Sequence, residues 1–328
     1  MGFRKINHLI WIDALRGLLI LLVVLGHSLQ NGDFENRLDW SLINCFHVPA
    51  FFFISGFVSY KPQLEWGSLG RRVKQLMVPF LVWVLIDAAL SGKFLYRVTD
   101  CLLHPDNGYW FLPVLFAVIL LFYIFDTLAR RLKISQMSAE IVGGVILIGL
   151  MVAFNWRVFG FQFISYYFFY YALGFYLRKY QVSVSLPWGF ALAVVWLIAA
   201  LFWNKHEPPV FLQGIPHLPA AVSTIAYRYL VATLAIGACL GLAPRLLNGK
   251  QAVVKALCYF GNVTMGIYII HLFIGRYFKY LYAWLGIDAN MSGYAIMDFA
   301  AKLAVSVLLI EILKRNKVTA RLLLGKLK

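Results

Sequence analysis

Charge is scarce in this sequence: only 13% of its 328 residues are Asp, Glu, Lys or Arg, against 62% that are apolar, and the mean hydropathy is +0.76. That balance excludes a soluble globular domain, which needs a charged shell around its core. Cysteine is scarce too. Cys45, Cys101, Cys239 and Cys258 show no CxxC spacing and no metal-like partners, which excludes a disulfide framework and a zinc site and leaves them as small apolar residues. No metal is expected. No basic segment is interleaved with aromatics, which excludes a nucleic-acid module. No small-residue cleavage site follows the first apolar stretch, and Asp13 and Arg16 lie inside it, so it is expected to remain as a span rather than be removed as a signal peptide. No linker, repeat or low-complexity tract marks a boundary, so one integral membrane domain over 1–328 with no appended soluble domain is expected.

What is present is a succession of apolar runs of about 20 residues, the length that crosses a bilayer as a helix. The runs predict an all-α polytopic bundle of about ten spans, near 10–30, 40–60, 75–91, 109–128, 138–154, 161–177, 187–203, 223–243, 257–281 and 294–313. An even count puts both termini on one side. The terminal segments and the connections after the second, fourth, sixth and eighth spans hold 20 of the 30 Lys and Arg, among them Arg71, Arg72, Lys74, Arg130, Arg131, Lys314 and Arg315. The opposite connections hold only Arg37, Lys93, Arg97, Arg157 and Lys205, with Arg276 and Lys279 near the outer end of the ninth span. Both termini are therefore expected in the cytoplasm. The net charge of +16 is mostly this topology signal, and the inner clusters can also meet anionic lipid or a phosphorylated substrate. The segment 204–221 holds Pro208, Pro209, Pro216 and Pro219 with His206 and His217, and reads as a restrained outer loop able to cover a site.

Ionisable groups at membrane depth are costly and usually face a bundle interior, so the polar residues inside the runs are the informative ones. Arg16 and His27 are eleven residues apart, which on a helix is ~20° in angle and ~16 Å in height. They share a face, and Asp13 lies on nearly the same stripe. An Asp13 and Arg16 pair with a satisfied histidine is the structural alternative. His27, His47 and His271 all fall in the outer half of their runs, and Thr264, Tyr268 and His271 follow an i, i+4, i+7 pattern. A neutral imidazole can take a proton from a hydroxyl, as acyl transfer to an alcohol requires, yet a His beside a Tyr can also simply satisfy interhelical hydrogen bonds. Ser55 and Gly56 read as a close helix contact, and Asp298 with Lys302 as a pair within one helix. Arg228 fits binding of an acidic sugar or snorkelling equally, and Tyr109 and Trp110 fit an interfacial belt or a surface on which a sugar ring stacks.

Five segments in order resemble the acyltransferase-3 family of integral membrane acyltransferases: WIDALRGLLILLVVLGH at 11–27, with its R-x10-H spacing, FHVPAFFFISGF at 46–57, RRVKQLMVP at 71–79, GYWFLPVLF at 108–116 and GNVTMGIYIIH at 261–271. The nearest subgroup resembles the fucose O-acetylase type. The resemblance implies a multi-pass protein of the bacterial inner membrane that acetylates sugars of surface polysaccharides or glycolipids. It implies an acyl-CoA donor, usually acetyl-CoA, and carries the family's motif positions onto Arg16, His27 and His47. Many members add an esterase-like outer domain, which is not expected here, and this leaves room for a protein partner or a homo-oligomer. On this reading Arg71, Arg72, Lys74 and Arg16 hold the CoA phosphates, and His27 is the general base. His47 is a second base or oxyanion donor, Tyr268, His271 and Asp13 support them, and Tyr109, Trp110 and Arg228 meet the acceptor. Direct transfer and an acetyl-histidine relay both fit. A transporter or flippase for a polar or lipid-linked substrate is the alternative, although no matching broken helices stand out in the two halves of the sequence.

Overall fold

The computed structural model describes residues 9–30, 34–61, 64–104, 108–154, 158–215 and 219–326. His217, Pro216 and Arg157 lie outside the described residues. Helices account for the regular structure, and no strand occurs among the described residues. In lipid, a helix is the open-chain solution that satisfies every backbone N–H and C=O within itself.

In chain order the helices are α1 (Ile10–Ser28), α2 (Leu38–Asn44), α3 (His47–Ser59), α4 (Leu69–Arg72), α5 (Val78–Leu90), α6 (Phe94–Leu103), α7 (Phe111–Leu132) and α8 (Gln136–Phe154). They continue with α9 (Phe161–Lys179), α10 (Leu186–Ala200), α11 (Ala220–Leu246), α12 (Ala252–Asn262), α13 (Thr264–Trp284), α14 (Tyr294–Leu313) and α15 (Lys317–Leu324). Among the described residues six stretches are long and apolar enough to cross a membrane, seven if α12 and α13 are taken as one span. The remaining expected spans coincide with helices that miss this mark for identifiable reasons. Helix α10 has 15 residues, α9 is rich in tyrosine, and α14 carries Asp298, Lys302 and Glu311.

Two features depart from the expected runs. The ninth run is not one helix but two, because the backbone leaves the helical region at Val263 (φ −111°, ψ 10°). Residues 92–108, expected as a plain connection, contain α6, which is too short to register as a span and exposes Phe94, Leu95, Tyr96 and Leu102 while burying Cys101. Between α4 and α5 the helix widens into a π turn at Val73–Met77, directly after Arg71 and Arg72.

Backbone contacts divide the chain into two compact units. The first comprises Met1–Ile54, Gln181–Thr264 and Ala289–Ala300. In it α1 lies along α12 with almost no space between the backbones: a Cβ on Gly17 would stand 1.9 Å from the Leu257 carbonyl oxygen, and one on Gly261 would stand 1.9 Å from that of Asp13. Helices α10 and α11 meet through Gly189 and Gly241 in the same way. The second unit comprises Ser55–Tyr180, Met265–Asp288 and Ala301–Lys328. There Gly56 faces the Tyr171 carbonyl, where a Cβ would be 1.9 Å away, so the Ser55–Gly56 step is the close contact its small residues predict. Helix α15 docks on α5, with the Trp83 indole donating to the Leu323 carbonyl at 2.9 Å.

Candidate functional site

In the first unit, α1 places Asp13 and Arg16 one turn apart, with Arg16 Nη1 3.7 Å from the Asp13 carboxylate. Asp13 is buried and Arg16 half-buried. The other end of α1 carries His27, half-buried, whose Nδ1 is 3.2 Å from the Gln30 side-chain oxygen. His47 opens α3 and is buried; its Nδ1 is 2.7 Å from the Ile43 carbonyl oxygen. A carbonyl has no proton to give, so Nδ1 carries the hydrogen, and the neutral ring keeps its lone pair on Nε2. The His27 and His47 rings are near enough to interact electrostatically. Gly26 helps set this arrangement, because a Cβ there would be 3.3 Å from the Ile43 side chain and 3.6 Å from that of Asn44. The residue beside His27 thus bears on the residue whose carbonyl orients His47.

The segment 204–215 is tied down in the same unit. Lys205 Nζ is 3.1 Å and His206 Nε2 3.2 Å from the Glu35 carboxylate, and Arg228 donates to the Lys205 carbonyl at 3.4 Å. Burial pushes the Glu35 carboxyl up, but the hydrogen bonds and charges of Lys205 and His206 outweigh it and hold the group below the usual 4.5.

The remaining predicted site residues lie in the second unit. Arg71 and Lys74 are exposed, while Arg72 donates to the Ser59 hydroxyl at 3.3 Å. His271 is buried and repeats the geometry of His47, with Nδ1 2.7 Å from the Ile267 carbonyl, so Nδ1 carries a hydrogen there too. Tyr268, one turn earlier on α13, accepts from the Phe111 N–H at 3.1 Å and so satisfies an open donor at the start of α7. Tyr109 is buried rather than spread on a surface. One face of the Trp110 indole is taken up by the Phe163 ring, stacked at 4.4 Å, with Tyr167 stacked at 5.6 Å.

Sequence reasoning missed a charged cluster in this unit. The Asp87 side chain, 1% exposed near the end of α5, accepts from Arg97 Nε on α6 at 2.8 Å and from Arg276 on α13. Arg97 also reaches Asp100 at 3.2 Å. The available signal was an acid inside the apolar run VPFLVWVLIDAAL, which at membrane depth demands a partner. No group of three or more His, Cys, Asp or Glu able to hold a metal occurs among the described residues.

A family model described as "Acyltransferase domain" matches residues 9–311. The chain is 36% identical over 135 residues to "Nodulation protein NolL" of Sinorhizobium fredii, covering 36% of this chain and 37% of that protein. It is 30% identical over 146 residues to the protein of the same name from Mesorhizobium japonicum, covering 40% of this chain and 39% of that protein. The match spans less than two fifths of the length of each of these relatives. No solved structure matches the chain. A family model running from the first residue before α1 to the last turn of α14 takes in both units and all the histidines described above, and the chain therefore belongs to the acyltransferase-3 family of integral membrane acyltransferases.

Proposed function

We propose that this chain is a membrane-bound O-acetyltransferase of the bacterial inner membrane that moves an acetyl group from cytoplasmic acetyl-CoA to a sugar hydroxyl of a surface polysaccharide or glycolipid on the outer side. The observation that carries this reading is the pair of imidazoles in the first unit of a chain of this family, His27 with Nδ1 beside the Gln30 side-chain oxygen and His47 with Nδ1 held by the Ile43 carbonyl. His27, half-buried, takes the proton of the acceptor hydroxyl as its oxygen attacks the thioester carbonyl carbon. The C–S bond breaks, CoA leaves as a thiolate, and the proton held by histidine passes to it. Neutral His47 has no hydrogen on Nε2, so it serves as a second proton acceptor rather than an oxyanion donor.

The exposed Arg71 and Lys74, with Arg72 and Arg16, are the cations we assign to the CoA phosphates. Ten spans with both termini inside, as the basic residues favour, set these cations against histidines in the outer half of the membrane. Charged CoA does not cross lipid, and an acceptor assembled outside does not reach the inner face, so the acetyl group travels within the protein. Oriented vesicles test this. Acetyl-CoA supplied only on the cytoplasmic side should acetylate an acceptor held only outside, with release of free CoA and no free acetate as intermediate. A requirement for both substrates on the cytoplasmic side refutes the sidedness. The break at Val263 is the one observation that favours a transporter, since broken helices line transport sites; substrate uptake without CoA release would establish that reading instead.

A further inference from the structure

The Asp87 cluster has more cation than a structural staple needs. Two guanidinium groups, from α6 and α13, converge on one carboxylate that solvent does not reach. Arg97 is also engaged by Asp100, but Arg276 spends one of its five N–H donors on Asp87 and has no other hydrogen-bond partner among the described residues. Its side chain is 39% exposed. A guanidinium held from behind by a buried carboxylate, with its remaining donors open, is pre-organised for a second anion. Nearby, the Tyr109 hydroxyl is buried and without a partner among the described residues, close enough to Asp87 and Arg276 to feel their charge.

The surroundings identify the anion. Lys93 stands one turn before Arg97 and Lys279 three residues after Arg276, and both are exposed. Of the seven Lys and Arg expected at the outer face, four are therefore on these two segments, against Asp87, Asp100 and Asp106, which leaves a net charge of +1. The positive-inside rule disfavours cations here, so their concentration calls for a ligand. Helix α6 presents Phe94, Leu95, Tyr96 and Leu102 outward, beside an open groove lined by Lys93 and the first three of its residues. A short amphipathic helix of this kind lies at the membrane interface, at the depth of a headgroup.

We propose that Arg276, braced by Asp87 and assisted by Arg97, binds the phosphate of a lipid-linked acceptor, which makes the acceptor a saccharide carried on a membrane-anchored phosphate or diphosphate. The inference rests on the acetyltransferase reading and names its acceptor class. Two measurements test it on the full-length protein in nanodiscs of neutral lipid. The first compares kcat/KM for acetyl transfer to one saccharide carried on a polyprenyl diphosphate and on an uncharged alkyl chain. The wild type should prefer the diphosphate form by about tenfold or more, and Arg276→Gln should bring that preference close to one, while Arg276→Lys retains part of it. Equal use of both acceptors by the wild type, or a preference that survives Arg276→Gln, overturns the site.

The second measurement is equilibrium binding of the diphosphate-linked saccharide, which needs no turnover and therefore separates failure of this site from failure of the enzymatic reading. Binding weakened about tenfold or more in Arg276→Gln supports the site even in the absence of acetyl transfer; equal binding refutes it. An anionic phospholipid without sugar, added at the same concentration, should compete weakly. Full competition would assign the cluster to bulk lipid headgroups and overturn the acceptor assignment.

Discussion

Gly261→Ala is expected to disturb this protein more than its one added methyl suggests. The new Cβ would stand 1.9 Å from the Asp13 carbonyl oxygen, 2.8 Å from the carbonyl carbon and 3.2 Å from Cα. All three are backbone atoms of α1, so no side chain can turn away. Relief to an ordinary contact of 3.4 Å requires α12 and α1 to part by about 1.5 Å, which opens the seam along which the two helices lie. Overpacking of a tight contact costs about 1–3 kcal/mol, and a backbone clash belongs at the upper end. Gly17→Ala meets the Leu257 carbonyl from the other side of the same seam, again at 1.9 Å.

The two substitutions force the same separation, so once one is made the other has little left to disturb. The double variant should be less destabilised than the sum of the singles by about 1 kcal/mol or more. The assay is a double-mutant cycle on unfolding midpoints in mild detergent, run beside acetyl transfer in nanodiscs. Because Asp13 carries the clashing carbonyl and Arg16 follows one turn later, the single variants should also raise the KM for acetyl-CoA. Additive stabilities, or a Gly261→Ala protein as stable as the wild type, would refute the account of the α1 and α12 seam.

Three further outcomes follow from the site. His27→Ala and His47→Ala should each abolish acetylation of the acceptor while the unfolding midpoint stays close to that of the wild type, and wild-type turnover by either variant would remove that residue from the mechanism. Joint replacement of Arg71 and Arg72 by Gln should raise the apparent KM for acetyl-CoA and leave acceptor KM alone; unchanged donor dependence moves the CoA site elsewhere. Because the folded pKa of Glu35 is depressed, its contacts with Lys205 and His206 are complete above about pH 4.5 and are lost as pH falls through the folded value. Pepsin should therefore cut the segment 204–215 faster as pH drops below that point, and Glu35→Gln should show the faster cleavage throughout; a pH step that persists in Glu35→Gln refutes the contact.

What was legible in the sequence is what lipid makes legible. Apolar runs of bilayer length announce helices because a single segment satisfies its own backbone there only as a helix, and α1, α7, α8 and α11 fall on their runs. The Ser55–Gly56 contact and the buried Asp13 beside Arg16 could be read from residue type and spacing. Partners far apart in the chain could not. Arg276 is 189 residues from Asp87, and no periodicity links them. The break at Val263 was hidden because Gly261 and Asn262 sit inside a run that is apolar overall, and Gly261 is there to let α1 approach. By position Tyr109 fits an interfacial belt or a surface on which a sugar ring stacks, whereas its burial depends on neighbours that composition does not name.

The placement of the glycines bears on why the R-x10-H segment keeps its form. Helix α1 is approached closely at two levels, by Leu257 at Gly17 and by Ile43 at Gly26, nine residues or ~13 Å apart. The lower contact fixes the turn that holds Asp13 and Arg16. The upper one fixes His27 and, through the Ile43 carbonyl, the ring of His47. Neither contact adds much apolar area, so a helix with larger residues at 17 and 26 could be at least as stable if its neighbours stepped back. Such a helix would carry the same charged and basic groups at altered distances, and a misplacement of about 1 Å costs on the order of 100-fold in rate where two groups must meet in line. The small residues in this motif therefore act on position more than on stability. They hold an ionic end and an imidazole end at a set separation along one rigid element.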